Sequence, residues 1–291
     1  MHVGEGCEES LREENTEELD NKPPLYQDLG MEKGTSVATL QERVALVTGA
    51  GRGIGAAEAV RLAQAGARVA VLDLSEDHCW ETVQRVQDVG VEALALACDV
   101  ARPEQVKSAV SRVVEHFGRL DILVNNAGIL RDNLLFRMSD DDWDAVIAIH
   151  LKGSFLCSRA AQRYMVEQRY GKIVMTSSIS ALGNKGQVNY AAAKAGLQGL
   201  MRTMAIELGP FNINVNAVAP GWIETEMLLQ AAQGLGTSMD VLREQFAKEI
   251  PLRRLGQPQD IANVVAFLVS DEASYINGET IYVAGGPVGV L

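Results

Sequence analysis

The chain has 291 residues, 47% of them hydrophobic and 22% charged, which allows one sizeable core of ordinary globular composition. Its net charge of −12 is concentrated in residues 1–40, where ten acids face three bases, and this balance excludes a nucleic-acid or anionic-membrane partner. Cys7, Cys79, Cys98 and Cys157 stand far apart, the start is acidic and no apolar run reaches about 18 residues, so we expect idle thiols, no metal site, no membrane span, no leader and a cytoplasmic protein.

In chain order, residues 1–40 are polar and charged and read as a disordered or loosely docked extension, followed by a single domain over 41–291. Val44 to Val47 predicts a short buried strand. The glycine turn Thr48-Gly-Ala-Gly-Arg-Gly-Ile-Gly55 follows, and Ala56 to Ala63 predicts a helix. Strand, glycine turn and helix make a seat for an anion, because N–H groups at the helix start face a phosphate. A glycine cluster also fits a plain tight turn. What favours a dinucleotide is Val69-Ala-Val-Leu-Asp-Leu74, a second buried strand that ends in an acid. Asp73, with Leu74 beside it, would take the adenosine ribose hydroxyls and repel a 2'-phosphate, so NAD(H) is expected over NADP(H).

A helix with Trp80, Val83, Val86 and Val89 on one side comes next, then a strand over Ala93–Ala97. Pro103 opens a helix carrying Val106, Val110 and Val113, and Leu120 to Gly128 runs from a strand into polar residues. Trp143 to Met165 reads as one long helix, Gly171 to Ser178 as a strand, and Tyr190 to Leu208 as a second long helix. Asn214 to Ala219 is a strand stopped by Pro220 and Gly221. Residues 222–250 look irregular and lid-like, and Pro258–Leu268 and Thr280–Val283 give a last helix and strand. Alternating apolar strands and helices predict an α/β fold, a Rossmann-type doubly wound parallel sheet with helices on both faces.

Tyr190 and Lys194 are four apart on a helix, on one face and about one turn from each other. By itself this is a common surface pair. At the mouth of a cofactor cleft, a lysine cation would stabilise the phenolate and lower the phenol below about 10. Such a tyrosine gives a proton to a carbonyl oxygen or takes one from an alcohol, and a serine hydroxyl holds that oxygen.

Thr48-Gly-Ala-Gly-Arg-Gly-Ile-Gly55, Asn125-Asn-Ala-Gly128, a serine 12 or 13 residues before Tyr190, Tyr190-x-x-x-Lys194 and Pro220-Gly-Trp-Ile-Glu-Thr225 resemble the short-chain dehydrogenase/reductase family over roughly residues 41–286. Gly128-Ile-Leu-Arg-Asp-Asn-Leu-Leu135, Gly186-Gln-Val-Asn-Tyr-Ala-Ala-Ala-Lys194 and Ser274-Tyr-Ile-Asn-Gly-Glu-Thr280 are similar to the 3-oxoacyl-[acyl-carrier-protein] reductases within it. The resemblance implies a cofactor site from Gly49, Gly51, Arg52, Gly53, Ile54, Gly55, Asp99, Val100, Asn126, Ala127, Gly128, Pro220, Gly221, Ile223 and Thr225, together with Tyr190 and Lys194. It also implies a homotetramer with the two long helices at one interface.

Three departures stand out. His150 occupies the place of a catalytic asparagine that would hold a water; it serves by a ring nitrogen or its carbonyl, or is a packed core residue. Strand register selects Ser178 as the polarising serine, whereas the usual spacing selects Ser177. Arg169 matches one arginine of a carrier-protein surface, but Phe211 sits where a second is expected, which weakens acyl-carrier-protein docking. The expected function is NAD(H)-dependent interconversion of a ketone and a secondary alcohol, first a 3-oxoacyl thioester as in fatty acid metabolism. The alternatives are a steroid, sugar or cyclic alcohol, or a catalytically idle partner subunit of a hetero-oligomer.

Overall fold

The computed structural model describes residues 39–229 and 238–288. The expected N-terminal extension therefore lies outside the described residues except for its last two, of which Leu40 is buried and donates its N–H to Ala65 O.

Seven parallel strands form one sheet in the order β3-β2-β1-β4-β5-β6-β7. They are β1 (Val44–Thr48), β2 (Arg68–Asp73), β3 (Ala93–Ala97), β4 (Ile122–Asn125), β5 (Gly171–Thr176), β6 (Ile213–Pro220) and β7 (Thr280–Val283). Both faces of the central strands carry apolar side chains because both are covered. Helices α1 (Gly53–Gln64), α2 (Glu76–Asp88) and α8 (Pro258–Leu268) share one apolar cluster with Ala45, Val47 and Val174. Helices α3 (Pro103–Phe117), α5 (Gly153–Gln168) and α6 (Val188–Leu208) pack with Leu46, Leu123 and Met175 on the opposite face. Strand order reverses between β1 and β4, and in such sheets the ligand crevice opens at the carboxyl ends there.

Local chemistry explains the boundaries. Pro103 fits the first turn of α3, and Gly118 ends that helix at φ 80°. Ser75 caps α2 by accepting the His78 N–H. Three expectations need correction. The buried face of α2 runs through Cys79, Thr82, Val83 and Val86, so Trp80, beside that line, is 65% exposed. The expected long helix is built as α4 (Asp140–Val146), a π-helical turn (Ile147–Lys152) and α5, with His150 inside the wide turn. The expected irregular lid contains α7 (Met239–Glu249), capped by Ser238. Leu228, Leu242, Phe246, Ile250 and Leu255 give that region a small core of its own, and the Trp222 ring stacks on Phe246 at 4.2 Å. Among the described residues, no helix is long and apolar enough to cross a membrane.

Candidate active site

The glycine turn is locked to the neighbouring strand by Thr48. Its Oγ1 accepts the N–H groups of Asn126 (3.0 Å) and Ala127 (3.1 Å) and donates to Val124 O (3.3 Å). Asn126 Nδ2 donates to the carbonyls of Thr48 and Gly49, each at 3.0 Å. A Cβ on Gly55 would lie 2.4 Å from Gly49 O, and one on Gly51 would lie 2.6 Å from His78 O, so the turn closes only with glycine. Gly49 and Gly53 also adopt φ near +60°, where side chains are strained. Helix α1 has no side-chain cap at Arg52 and no acid in its first turn, which leaves its N-terminal N–H groups and dipole for an anion, as a dinucleotide pyrophosphate requires.

Asp73 ends β2 at the rim of this cradle. Its Oδ2 accepts the Gly51 N–H (3.0 Å) and its Oδ1 the Leu74 N–H (2.8 Å). Each carboxylate oxygen retains a lone pair for a ribose hydroxyl. Arg52 is turned into an ion pair with Glu226 at 2.7 Å. His78 Nδ1 lies 3.5 Å from Asp73 Oδ1, a neighbour that the sequence reading missed. Asp99 Oδ1 accepts the Ala101 N–H (2.9 Å), and the Val100 side chain packs against Gly153 in the core. At the far side, Gly221 donates to Val283 O (3.0 Å) beyond Pro220, Ile223 bridges to Gly256, and Thr225 faces Gly53. Among the described residues, no group of three acids, histidines or cysteines could hold a metal.

Tyr190 and Lys194 stand on α6 beside the ends of β4 and β5. The two serines that spacing leaves open differ in geometry. Ser177 Oγ donates to Lys194 O (2.9 Å) and accepts from Gln198 (3.2 Å), which turns it into the body of α6. Ser178 stands near enough to the Tyr190 phenol to favour its ionised form, and its Oγ caps the next turn by accepting the Ser180 N–H (3.1 Å). Lys194 Nζ lies 5.3 Å from the Tyr190 ring centroid and donates to Thr176 O (2.5 Å). Burial pushes the Tyr190 phenol up to about 12 against a lowering by Ser178, so the expected lowering by lysine does not appear in this structure.

His150 packs edge-on against Tyr190, ring centroids 5.2 Å apart. Its Nε2 lies 3.0 Å from the Ile129 nitrogen and 2.8 Å from the Ile129 oxygen, accepting or donating according to its tautomer. Nδ1 is buried without a partner among the described residues, and the backbone carbonyl accepts Ser154 Oγ at 2.6 Å. Burial, aided by the Lys194 charge, lowers the ring to about 3 and keeps it neutral. A Cβ on Gly128 would sit 2.3 Å from the ring, so the glycine is what admits it.

The loop after β4 is tied to the start of α6. Asn133 bridges to Gln187, Gln187 Nε2 donates to Asp132 (2.7 Å), and Asn189 Nδ2 donates to Arg131 O (2.9 Å). A groove beside them is lined by Leu134, Leu135, Ala181, Leu182 and Val188. Arg169 donates to Pro210 O (3.2 Å), and Phe211 packs against the core. One further group went unread in the sequence: Glu58 on α1 is fully buried, and its only outward signal is an acid inside the apolar run Ala56–Ala63.

Comparison with known proteins agrees with this arrangement. The family described as Enoyl-(Acyl carrier protein) reductase matches residues 49–287. The chain is 47% identical over 252 residues to the short-chain reductase protein NovJ of Streptomyces niveus, covering 87% of this chain and 96% of that one. It is 48% identical over 244 residues to the 3-oxoacyl-[acyl-carrier-protein] reductase FabG of Staphylococcus epidermidis, covering 83% and 97%. Among solved structures, levodione reductase matches with TM-score 0.83 at 37% identity, covering 86% and 99% of the two chains. NAD+-bound xylitol dehydrogenase matches with TM-score 0.80 at 35% identity, covering 84% and 99%.

Proposed function

The chain belongs to the short-chain dehydrogenase/reductase family, and we propose that it works with NAD(H) in preference to NADP(H) on a 3-oxoacyl thioester and its 3-hydroxyacyl form. It is a nicotinamide-dependent oxidoreductase acting on a ketone/alcohol pair. The bound dinucleotide supplies the hydride exchange. The observation that carries the reading is Lys194 Nζ 5.3 Å from the Tyr190 ring centroid, with Ser178 acting on the same phenol.

In the direction of reduction, Ser178 orients the substrate oxygen by donating to it. Tyr190, held neutral by burial, gives its phenolic proton to that oxygen, and the Lys194 ammonium stabilises the phenolate left behind. Neutral His150 braces the tyrosine ring, and its unpartnered Nδ1 offers one position for a proton relay. Two features support NAD(H). Asp73 at the ribose end would repel a 2'-phosphate, and the Arg52 charge that could attract one is answered by Glu226. The identity to FabG and the apolar groove beside α6 support the thioester.

The second reading, another secondary alcohol, is favoured by the Arg169 contact with Pro210 and by Phe211, which leave no paired arginines for a carrier protein. Levodione reductase and xylitol dehydrogenase are relatives of that kind by name. The complete Ser178–Tyr190–Lys194 set speaks against an idle partner subunit. We further assign a homotetramer, supported by exposed Phe155 on α5 and Ile206 on α6, and a cytoplasmic setting, supported by free buried Cys79, Cys98 and Cys157.

The test is kcat/KM with NADH and NADPH for acetoacetyl thioesters beside cyclic, sugar and steroid alcohols. The thioester should lead, with NADH favoured roughly thirty- to a hundred-and-fifty-fold, as about 2–3 kcal/mol of repulsion gives. A cyclic alcohol or sugar in the lead would replace the substrate assignment.

A further inference from the structure

The loop that follows β4 is fastened around Tyr190. At its start, the Ile129 nitrogen and oxygen lie 3.0 and 2.8 Å from His150 Nε2, and the His150 ring packs on the Tyr190 ring, centroids 5.2 Å apart. At its end, Arg131 O accepts from Asn189 Nδ2 (2.9 Å), and the Asn133 N–H donates to Gly186 O (2.8 Å). Asn189 directly precedes Tyr190 and accepts the Tyr190 N–H at 2.7 Å. Asp132 stands between the two pinned residues, and its Oδ2 accepts Gln187 Nε2 at 2.7 Å. Gln187 is the N-cap of α6, three residues before Tyr190, and side chains three apart meet on one face of a helix. Asn184 fixes the other end of the same amide by donating to Gln187 Oε1 at 2.9 Å. The carboxylate is thus built into the wall beside the phenol, while Asp132 itself remains exposed.

We propose that Asp132 is a specificity-determining residue that admits 3-oxo esters, thioesters and amides and turns away the free 3-oxo acids. The inference deepens the thioester reading and rests on Tyr190 as the group that meets the substrate oxygen. A 3-oxo acid with its ketone oxygen on the phenol carries its own carboxylate only two carbons away, beside a second negative charge that the Gln187 amide holds in place. A neutral acyl derivative of the same length meets no such repulsion. Among the described residues Asp132 forms no ion pair that would cancel its charge. Its neighbour Arg131 is turned to Asp142 at 4.0 Å, and Lys194 Nζ is bonded to Thr176 O. The Tyr190 phenol, raised first by burial, is raised further by the Asp132 charge, which agrees with this placement. Desolvation by the surrounding loop pushes the Asp132 carboxyl up, and the Gln187 bond opposes this.

Two measurements test this with acetoacetate and methyl acetoacetate, which differ by one charge and little in size. First, kcat/KM for both is measured with NADH at about pH 8, well above the carboxylate range, in wild type, Asp132→Asn and Asp132→Lys. Both ketones use the same phenol, so any effect of residue 132 on Tyr190 cancels in the ratio of ester to acid. That ratio should fall about five- to ten-fold in Asp132→Asn, as the loss of one like charge across a partly wet crevice gives, and further in Asp132→Lys. The gap between wild type and Asp132→Asn should narrow at about 0.5 M salt, because screening weakens a charge effect and leaves a steric one untouched. The same ratio in all three proteins, or a fall that does not follow the charge, would overturn the proposal. If Asp132→Asn does not fold, Asp132→Ser removes the same charge. Second, calorimetry gives Kd for the two ketones on enzyme saturated with NAD+, where no hydride can pass to the ketone, and the ratios should keep the same order. Unmoved Kd ratios would overturn the proposal as well. The calorimetric arm needs no turnover, so it stands if the reaction assigned to Tyr190 fails. Turnover of the methyl ester with an unmoved ratio would sink the role of Asp132 alone.

Discussion

Burial governs the proton at Tyr190, and the hydroxyl of Ser178 is the group that meets it. Ser178→Ala should therefore lower turnover by about two orders of magnitude, the usual effect of losing a donor to a developing oxyanion. Ser177→Ala, which removes a bond to the α6 backbone, should change turnover little. Steady-state kinetics of the two variants decides this, and the reverse order would return the role to Ser177. His150 gives a second residue-scale expectation. Its folded value near 3 lies below the unfolded value of about 6.5, so the unfolded chain takes up the proton first. The contribution of the neutral ring is complete above about pH 6.5 and is lost as pH falls toward 3. Wild type minus His150→Gln in urea unfolding should change by up to about 1.4 kcal/mol per pH unit across that window. A flat difference would mean that the ring is charged inside the fold. The Tyr190 and Lys194 pair was legible from helical spacing, since four residues make one turn, only together with its place at the mouth of the cleft. The serines were not separable by spacing, because adjacent strand residues point to opposite faces and only the packing of α6 decides which meets the phenol.

At the scale of elements, Thr48 joins β1 to β4 and shapes the cradle between them. Thr48→Val keeps the volume but leaves the Asn126 and Ala127 N–H groups without an acceptor. Unfolding should show a loss of about 2–4 kcal/mol and weaker dinucleotide binding. Unchanged stability would mean that the glycine turn holds its form unaided. The alternation of strands and helices was legible because apolar strands buried on both faces differ so plainly from their helical neighbours. The π turn at Ile147–Lys152 was not, since a wide turn leaves the apolar period almost intact. Nor was α7, whose apolar face meets Trp222 and Leu255 rather than the sheet. Trp80 shows the same limit in reverse, as size and hydrophobicity suggested burial where the helix phase gives exposure.

The whole molecule is a charge arrangement around one crevice. Asp73 stands at the rim of the glycine cradle, Arg52 is paired with Glu226, and the first turn of α1 is left free of acid. Replacing Asp73 by Ser should shift kcat/KM toward NADPH, and adding Leu74→Arg should shift it further. A preference that stays put would move the choice of cofactor to another residue. The parts of this crevice come from distant stretches of sequence, and sequence alone gave their identities but not the pairing of Asn133 with Gln187 or the full burial of Glu58. The most direct measurement is turnover of an acetoacetyl thioester with NADH by wild type and Tyr190→Phe, with NADH binding followed by fluorescence. Wild type should turn over, and Tyr190→Phe should bind NADH nearly as well while losing almost all turnover, because only the proton-transferring hydroxyl is gone. Normal turnover by Tyr190→Phe would contradict the account.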